Sequence, residues 1–192
     1  HRDLHLSIRR QRQMCIRDRS MARQKNLSLN FQASPDDESP LFSDQRLLML
    51  TVKNLVENSI KYTPAGGAVN IIVETSLPEL PLEMQSRIGS SETGEGLSEG
   101  LSPSKGWWIL QVIDTGIGIA PEHVDRVFER FYQVDASRTG AAGRGTGLGL
   151  AIVKHAVHAL GGHLWVESQL GKGTTITCVF PQATLEKEVQ EA

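Results

Sequence analysis

Asn54, Asn58, Lys61 and Tyr62 recur at helical spacing in a stretch that holds neither glycine nor proline. At about 100° per residue they share about one third of a helix circumference. Two amides, an ammonium and a phenol on one face suit a phosphate group and its metal, and a solvated polar face is the plainer reading of the same residues. Asp114 closes the apolar run Trp107 to Ile113 and is followed by Gly116 and Gly118. A carboxylate there can only accept hydrogen bonds. It either meets a donor on a ligand or caps its own turn. The third group is the run Gly143 to Lys154, with Gly145, Gly147 and Gly149 at every second position. Backbone without β-carbons can approach something large. A helix opening from such a run presents unpaired N–H groups and a positive dipole end, which attract an anion. A loose loop before a core helix is the alternative.

These groups need elements to hold them. Leu27 to Phe31 alternates apolar and polar, as a half-buried strand does. Asp44 is a good N-cap for a helix over Gln45 to Tyr62, ended by Pro64 and the Gly66-Gly67 pair. Its Leu48, Val52, Leu55 and Val56 lie beside the polar face and should pack on a sheet. Ala68 to Thr75 reads as a strand buried on both faces, and Trp107 to Ile113 as another. Between them, Ser76 to Gly106 is rich in Ser, Gly, Glu and Pro and reads as a flexible insertion. Pro121 opens a helix expected to run to about Phe131, and Gln133 to Arg144 has the small, polar composition of a lid. A helix follows from Leu148 to Leu160, stopped by Gly161. His163 to Ser168 and Thr174 to Phe180 form a hairpin across Gly171-Lys172-Gly173. The mixture predicts an α/β (α+β) fold, a two-layer sandwich with a mixed β-sheet covered on one face by three main helices.

Composition narrows the function. Residues 1–25 hold eight of the twenty Lys and Arg, so the remainder carries twelve basic against twenty acidic residues. An acidic body argues against a nucleic-acid surface. No apolar stretch approaches a membrane span, so no membrane contact by this chain is expected. Cys15 and Cys178 are far apart and suggest neither a disulfide framework nor a metal site. Cys178 and the histidines 155, 158 and 163 read as packing or surface residues. The run Met14 to Arg19 resembles the translation of a sequencing adapter, so residues 1–20 are set aside as non-native or disordered. Residues 21–181 form one domain, with 76–106 as its insertion, and 182–192 a frayed tail.

In order, Asn-x-x-x-Asn-x-x-Lys-Tyr (54–62), Asp-x-Gly-x-Gly (114–118), Phe-Glu-Arg-Phe-Tyr (128–132) and Gly-Thr-Gly-Leu-Gly-Leu (145–150) resemble the N box, glycine boxes and F box of sensor histidine kinases. The resemblance covers Leu27 to Pro181 and implies a Bergerat-type ATP-binding fold. It implies ATP and Mg²⁺ as ligands, with Asn58 on the metal, Lys61 on phosphate and Tyr62 on the base or ribose. Asp114 would accept from the adenine amino group, with Gly116 and Gly118 turning beneath the base. Asn54, Phe131, Arg138, Gly145, Thr146, Gly147, Leu148, Gly149, Leu150 and Thr174 complete the expected nucleotide site. Asn58 and Lys61 are the expected catalytic pair.

The resemblance further implies a cytoplasmic domain, monomeric in isolation, and is compatible with a membrane-anchored parent protein. Its phosphoryl acceptor is a histidine on a dimerisation domain, with a response regulator downstream. No acceptor motif of the His-Glu-x-Arg-Thr-Pro kind occurs in this sequence, so the chain is expected to bind ATP without phosphorylating itself. Gyrase-type relatives carry glutamate where this sequence has Asn54, and an amide cannot take a proton from water. Family members often have Arg at the place of Gln133. An anti-sigma-factor-type serine kinase and a degenerate nucleotide-binding module are the alternative readings.

Overall fold

The computed structural model describes residues 20–33, 44–89, 106–134 and 146–182. The expectations for residues 1–19, for all but the first two residues of the lid (Gln133 to Arg144) and for the tail beyond Gln182 lie outside these residues.

Five strands form one sheet: β1 (Ser28–Ala33), β2 (Ala68–Leu77), β3 (Trp107–Asp114), β4 (His163–Gln169) and β5 (Gly173–Pro181). Their order is β1-β2-β3-β5-β4. β1 and β2 run parallel, and the other neighbours are antiparallel. A parallel pair needs a crossover, and helix α1 (Gln45–Tyr62) supplies it. Asp44, in extended backbone, starts α1 as expected: its carboxylate accepts from Arg46 N–H at 2.8 Å and Leu47 N–H at 3.3 Å.

The core lies on one face of the sheet. Val69 and Ile71 of β2, Trp108, Leu110 and Val112 of β3, and Ile176, Cys178 and Phe180 of β5 point to it. α1 contributes Leu48, Leu55, Val56 and Ile60. Helix α4 (Gly149–Ala159) lies beside α1 and adds Val153 and Val157. Trp108 and Phe180 stack, with centroids 4.0 Å apart and planes 13° from parallel. Cys178 is a core thiol, and burial pushes its pKa up to about 12.

Three expectations change. β2 runs to Leu77 rather than Thr75 and is fully buried on one face only. Its Val69 and Ile71 are buried, while Asn70 on the other face accepts a hydrogen bond from Asn30 of β1 at 2.9 Å. The insertion is not structureless throughout: helix α2 (Leu82–Gly89) covers part of the opposite sheet face. Leu80, Met84 and Ile88 pack there with Ile109, Val179, Trp107 and Trp165. Arg87 fastens the helix by bonding Glu167 at 2.6 Å, its guanidinium 5.8 Å from the Trp165 ring centroid. Residues 90–105 of the insertion lie outside the described residues. The helix from Pro121 is one turn, α3 (Pro121–Val124), after which the chain continues in turns whose N–H groups reach three residues back, Arg126 to His123 C=O at 3.0 Å and Glu129 to Arg126 C=O at 2.9 Å.

Phe180 is fully buried and stacks on Trp108, so Phe180→Ala leaves a cavity in the core. Its expected cost is about 3–5 kcal/mol, read as a lower urea midpoint at unchanged slope.

Candidate functional site

The site forms where the C-terminal end of α1, the end of β3 and the start of α4 meet. Its centre is Asp114. The carboxylate Oδ1 accepts from Gly116 N–H at 2.9 Å and Thr174 N–H at 3.2 Å. Oδ2 accepts from the Ser59 hydroxyl at 3.0 Å. An ionised carboxylate offers about four acceptor positions. Oδ1 is saturated by two backbone donors, and Oδ2 retains capacity for one more. Burial raises the Asp114 pKa above the ordinary 3.8, against the opposing pull of Gly116 N–H, Ser59 and Thr174 N–H.

Ser59 was not singled out from the sequence. It is 5% exposed and sits in the arc of α1 that also buries Leu48, Leu55 and Val56. A hydroxyl within an apolar arc is the signal that could have found it, and the arc holds one other, Thr51, which bonds Leu47 C=O of its own helix at 2.9 Å. Ser168 was missed likewise. Its hydroxyl accepts from Ile119 N–H at 2.8 Å and donates to Gly173 C=O at 2.9 Å. It also bonds the Thr174 hydroxyl at 2.9 Å, so Ser168 ties the glycine loop after β3 to the β4–β5 hairpin.

The first polar group falls on α1 as expected. Asn54 and Asn58 face the start of α4, where a methyl on Gly149 would stand 3.2 Å from Asn54 Oδ1 and 3.4 Å from Asn58 Nδ2. Gly149 therefore admits two side chains of the protein itself. Asn54 Nδ2 also donates to Leu50 C=O at 2.8 Å, which folds that amide onto its own helix. Lys61 and Tyr62 end α1, with the ammonium 5.0 Å from the phenol ring centroid and Tyr62 41% exposed. Glu57 points elsewhere, to Lys53 one turn back at 3.8 Å.

The F box meets the second glycine box through backbone. Phe131 N–H donates to Gly147 C=O at 2.9 Å. Gly147 has φ 68°, and a methyl there would come within 2.7 Å of the Phe131 backbone. Phe131 is 68% exposed, so it anchors no core. Val127 is buried instead, and Tyr132 bonds His123 of α3 at 2.7 Å. Thr146 is exposed, Leu148 is the N-cap of α4 without a side-chain bond, and Leu150 packs on the core. Gly116 and Gly118 turn the loop so that Ile117 N–H donates to Tyr62 C=O at 3.2 Å. Thr174 reaches Asp114 through its backbone, and its hydroxyl is engaged by Ser168. Arg138 and Gly145 lie outside the described residues.

The sequence matches a known family. Residues 43–184 fit the model of the "Histidine kinase-, DNA gyrase B-, and HSP90-like ATPase" family, and the chain belongs to it. It carries the ATP-binding catalytic domain found in sensor histidine kinases. Sensor histidine kinase WalK of Bacillus subtilis is 37% identical over 157 residues, which are 82% of this chain and 21% of that one. The phosphate regulon sensor protein PhoR of Pseudomonas aeruginosa is 36% identical over 168 residues, 88% of this chain and 31% of that one. The full-length ShkA structure with AMPPNP superposes with a TM-score of 0.63 at 26% identity, over 90% of this chain and 29% of that one. The chain thus spans between a fifth and a third of the length of the two sensor proteins it matches here. Among the described residues no helix is long and apolar enough to cross a membrane.

The raised pKa of Asp114 sets a sign. A folded pKa above the unfolded one means that ionisation costs folding stability above the folded pKa, and that this cost vanishes as pH falls below the unfolded value. Asp114→Asn, of the same shape, is expected to keep or slightly raise thermal stability near neutral pH. Ser59→Ala removes a bond to the charged form, so it should raise the Asp114 pKa further in a carboxyl-carbon NMR titration. An unchanged or lower value would contradict the geometry.

Proposed function

We propose that this chain is the ATP-holding half of a two-component sensor histidine kinase, presenting the γ-phosphate to a histidine on a dimerisation domain outside it. A response regulator would take the phosphoryl group from that histidine. The observation that carries the reading is the single remaining acceptor position on Asp114 Oδ2, in a half-buried site beside a glycine loop. It fits the amino group of adenine and repels a keto oxygen. Gly116 and Gly118 turn beneath the base, Thr174 steadies Asp114, and Tyr62 lies against base or ribose. Lys61 and Arg138 would meet phosphate. Phe131 and the run Gly145, Thr146, Gly147, Leu148, Gly149 and Leu150 would line the phosphate end at the start of α4.

Mg²⁺ fits only as a guest of the nucleotide. Among the described residues there is no group of three or more His, Cys, Asp or Glu that could hold a metal. Asn58 supplies one neutral amide oxygen beside Asn54, and Mg²⁺ commonly takes its other oxygens from substrate phosphates and water. When bound, the ion would spread the charge of the phosphate chain. Asn58 would hold it, and Lys61 would neutralise the γ-phosphate while the acceptor imidazole attacks its phosphorus, the bond from that phosphorus to the β-phosphate oxygen breaks and ADP leaves.

Asn54 supports transfer over hydrolysis. Its amide is bonded within its own helix and cannot take a proton from water, and Glu57 is turned to Lys53. Slow hydrolysis and retention of ATP for a partner follow.

Calorimetry of the full chain with Mg-ATP tests the reading. Binding is expected, weakened at least about tenfold by Asp114→Asn, the scale of one charge-assisted hydrogen bond. Chelation of Mg²⁺ should weaken it as well. Because Asp114 acts as its carboxylate, affinity should fall on acidification through a pKa above the usual carboxylate value. With labelled ATP the chain alone should form no phosphohistidine, and a histidine-bearing dimerisation domain added in trans should acquire acid-labile phosphate. No heat from a folded chain would overturn the proposal.

A further inference from the structure

The last turn of α1 carries Lys61 and Tyr62, and its end is unusual. A helix leaves its last four carbonyls without intrahelical partners, and each must find another. Here the C-cap is Thr63 in extended backbone followed by Pro64, so no glycine motif closes the helix. Ser59 C=O is met locally, by Thr63 N–H at 3.0 Å and the Thr63 hydroxyl at 2.6 Å. Tyr62 C=O is met by Ile117 N–H from the glycine loop. The two between are met from far upstream. Lys25 Nζ donates to Ile60 C=O at 2.8 Å and Lys61 C=O at 2.7 Å, and its third proton reaches Thr63 C=O at 3.2 Å.

Lys25 is itself held. Ala22, on the helical turn before it, is buried in the main core. Leu27 N–H donates to Ala22 C=O at 2.8 Å, and Lys25 N–H to Met21 C=O at 3.2 Å. Asn26, at φ 54°, accepts from Gly66 N–H at 3.1 Å, and Ser28 N–H donates to Gly67 C=O at 2.9 Å. The segment entering β1 thus wraps the loop that leaves α1, with the ammonium at its centre. A cation there also meets the negative end of the helix dipole.

We propose that Lys25 is a positioning residue for nucleotide binding: by closing the last turn of α1 it sets where Lys61 and Tyr62 stand. A shift of the segment 20–27 then moves these two side chains, so this segment is a handle on the nucleotide site. The inference rests on the ATP-domain reading and goes beyond it, since Lys25 meets only backbone and lies outside every motif of the site.

The test uses the full chain at a temperature where circular dichroism shows each variant folded. Lys25→Met is expected to weaken Mg-ATP binding about tenfold in calorimetry, and Lys25→Arg, which keeps the charge and donors, to recover most of it. The discriminating readout is coupling. If Lys25 acts through Lys61, Lys25→Met costs much less in a Lys61→Ala background than alone, whereas a purely stabilising role makes the two losses add. Full affinity in folded Lys25→Met, or strict additivity, would overturn the proposal. Asp114→Asn, run beside them, separates the two claims. If it weakens binding and Lys25→Met does not, only the positioning role fails. If wild type shows no binding, or Asp114→Asn binds as wild type does, the ATP-domain reading itself fails.

Discussion

The site depends on one half-buried carboxylate, held against its burial by three hydrogen-bond donors. Asp114 is placed at the end of β3, a strand with paired neighbours on both sides, so its backbone cannot drift. Burial opposes its charge, and three donors from three segments oppose the burial: Ser59 from α1, Gly116 from the loop after β3, and Thr174 from β5. A chain shaped by stability alone has little reason to keep a charge whose ionisation folding disfavours. The same three bonds tie α1, the glycine loop and the β4–β5 hairpin together around one oxygen pair. Ser168 and the Ile117–Tyr62 bond reinforce that junction from behind.

The glycines divide by purpose. Gly147 has a left-handed backbone against Phe131, and Gly149 admits Asn54 and Asn58. Both fit the protein to itself before any ligand arrives. Spacing alone assigns their absent side chains to a bound molecule. In the fold they bring the F box and the amide face of α1 against the start of α4. The phosphate contact proposed at α4 would then rest on backbone that the protein has already assembled.

Much of this was legible in one dimension. α1, α4, the central strands and the hairpin announce themselves by period, caps and breakers, and the spacing of Asn54, Asn58, Lys61 and Tyr62 puts them on one face. The misses share a cause: each depends on a partner distant in sequence. Leu80, before α2, and Met84 and Ile88 within it recur four residues apart, but they sit beside Ser- and Gly-rich chain, and their partners Trp107, Trp165 and Val179 come later. Ser59 looks like filler until Asp114, 55 residues on, is beside it. Lys25 sits at the end of a basic stretch and gains meaning only from the α1 carbonyls 35 and 36 residues away.

The central claim is that Asp114 reads an amino group. The most direct measurement compares the affinities of ATP and inosine triphosphate, whose base carries a keto oxygen in place of that amino group, for wild type and Asp114→Asn. The account predicts that wild type prefers ATP. It predicts that the asparagine variant, whose amide can donate to the keto oxygen, loses or reverses that preference. Equal affinities in wild type, or a preference for ATP that the substitution leaves untouched, would mean that the base is read elsewhere.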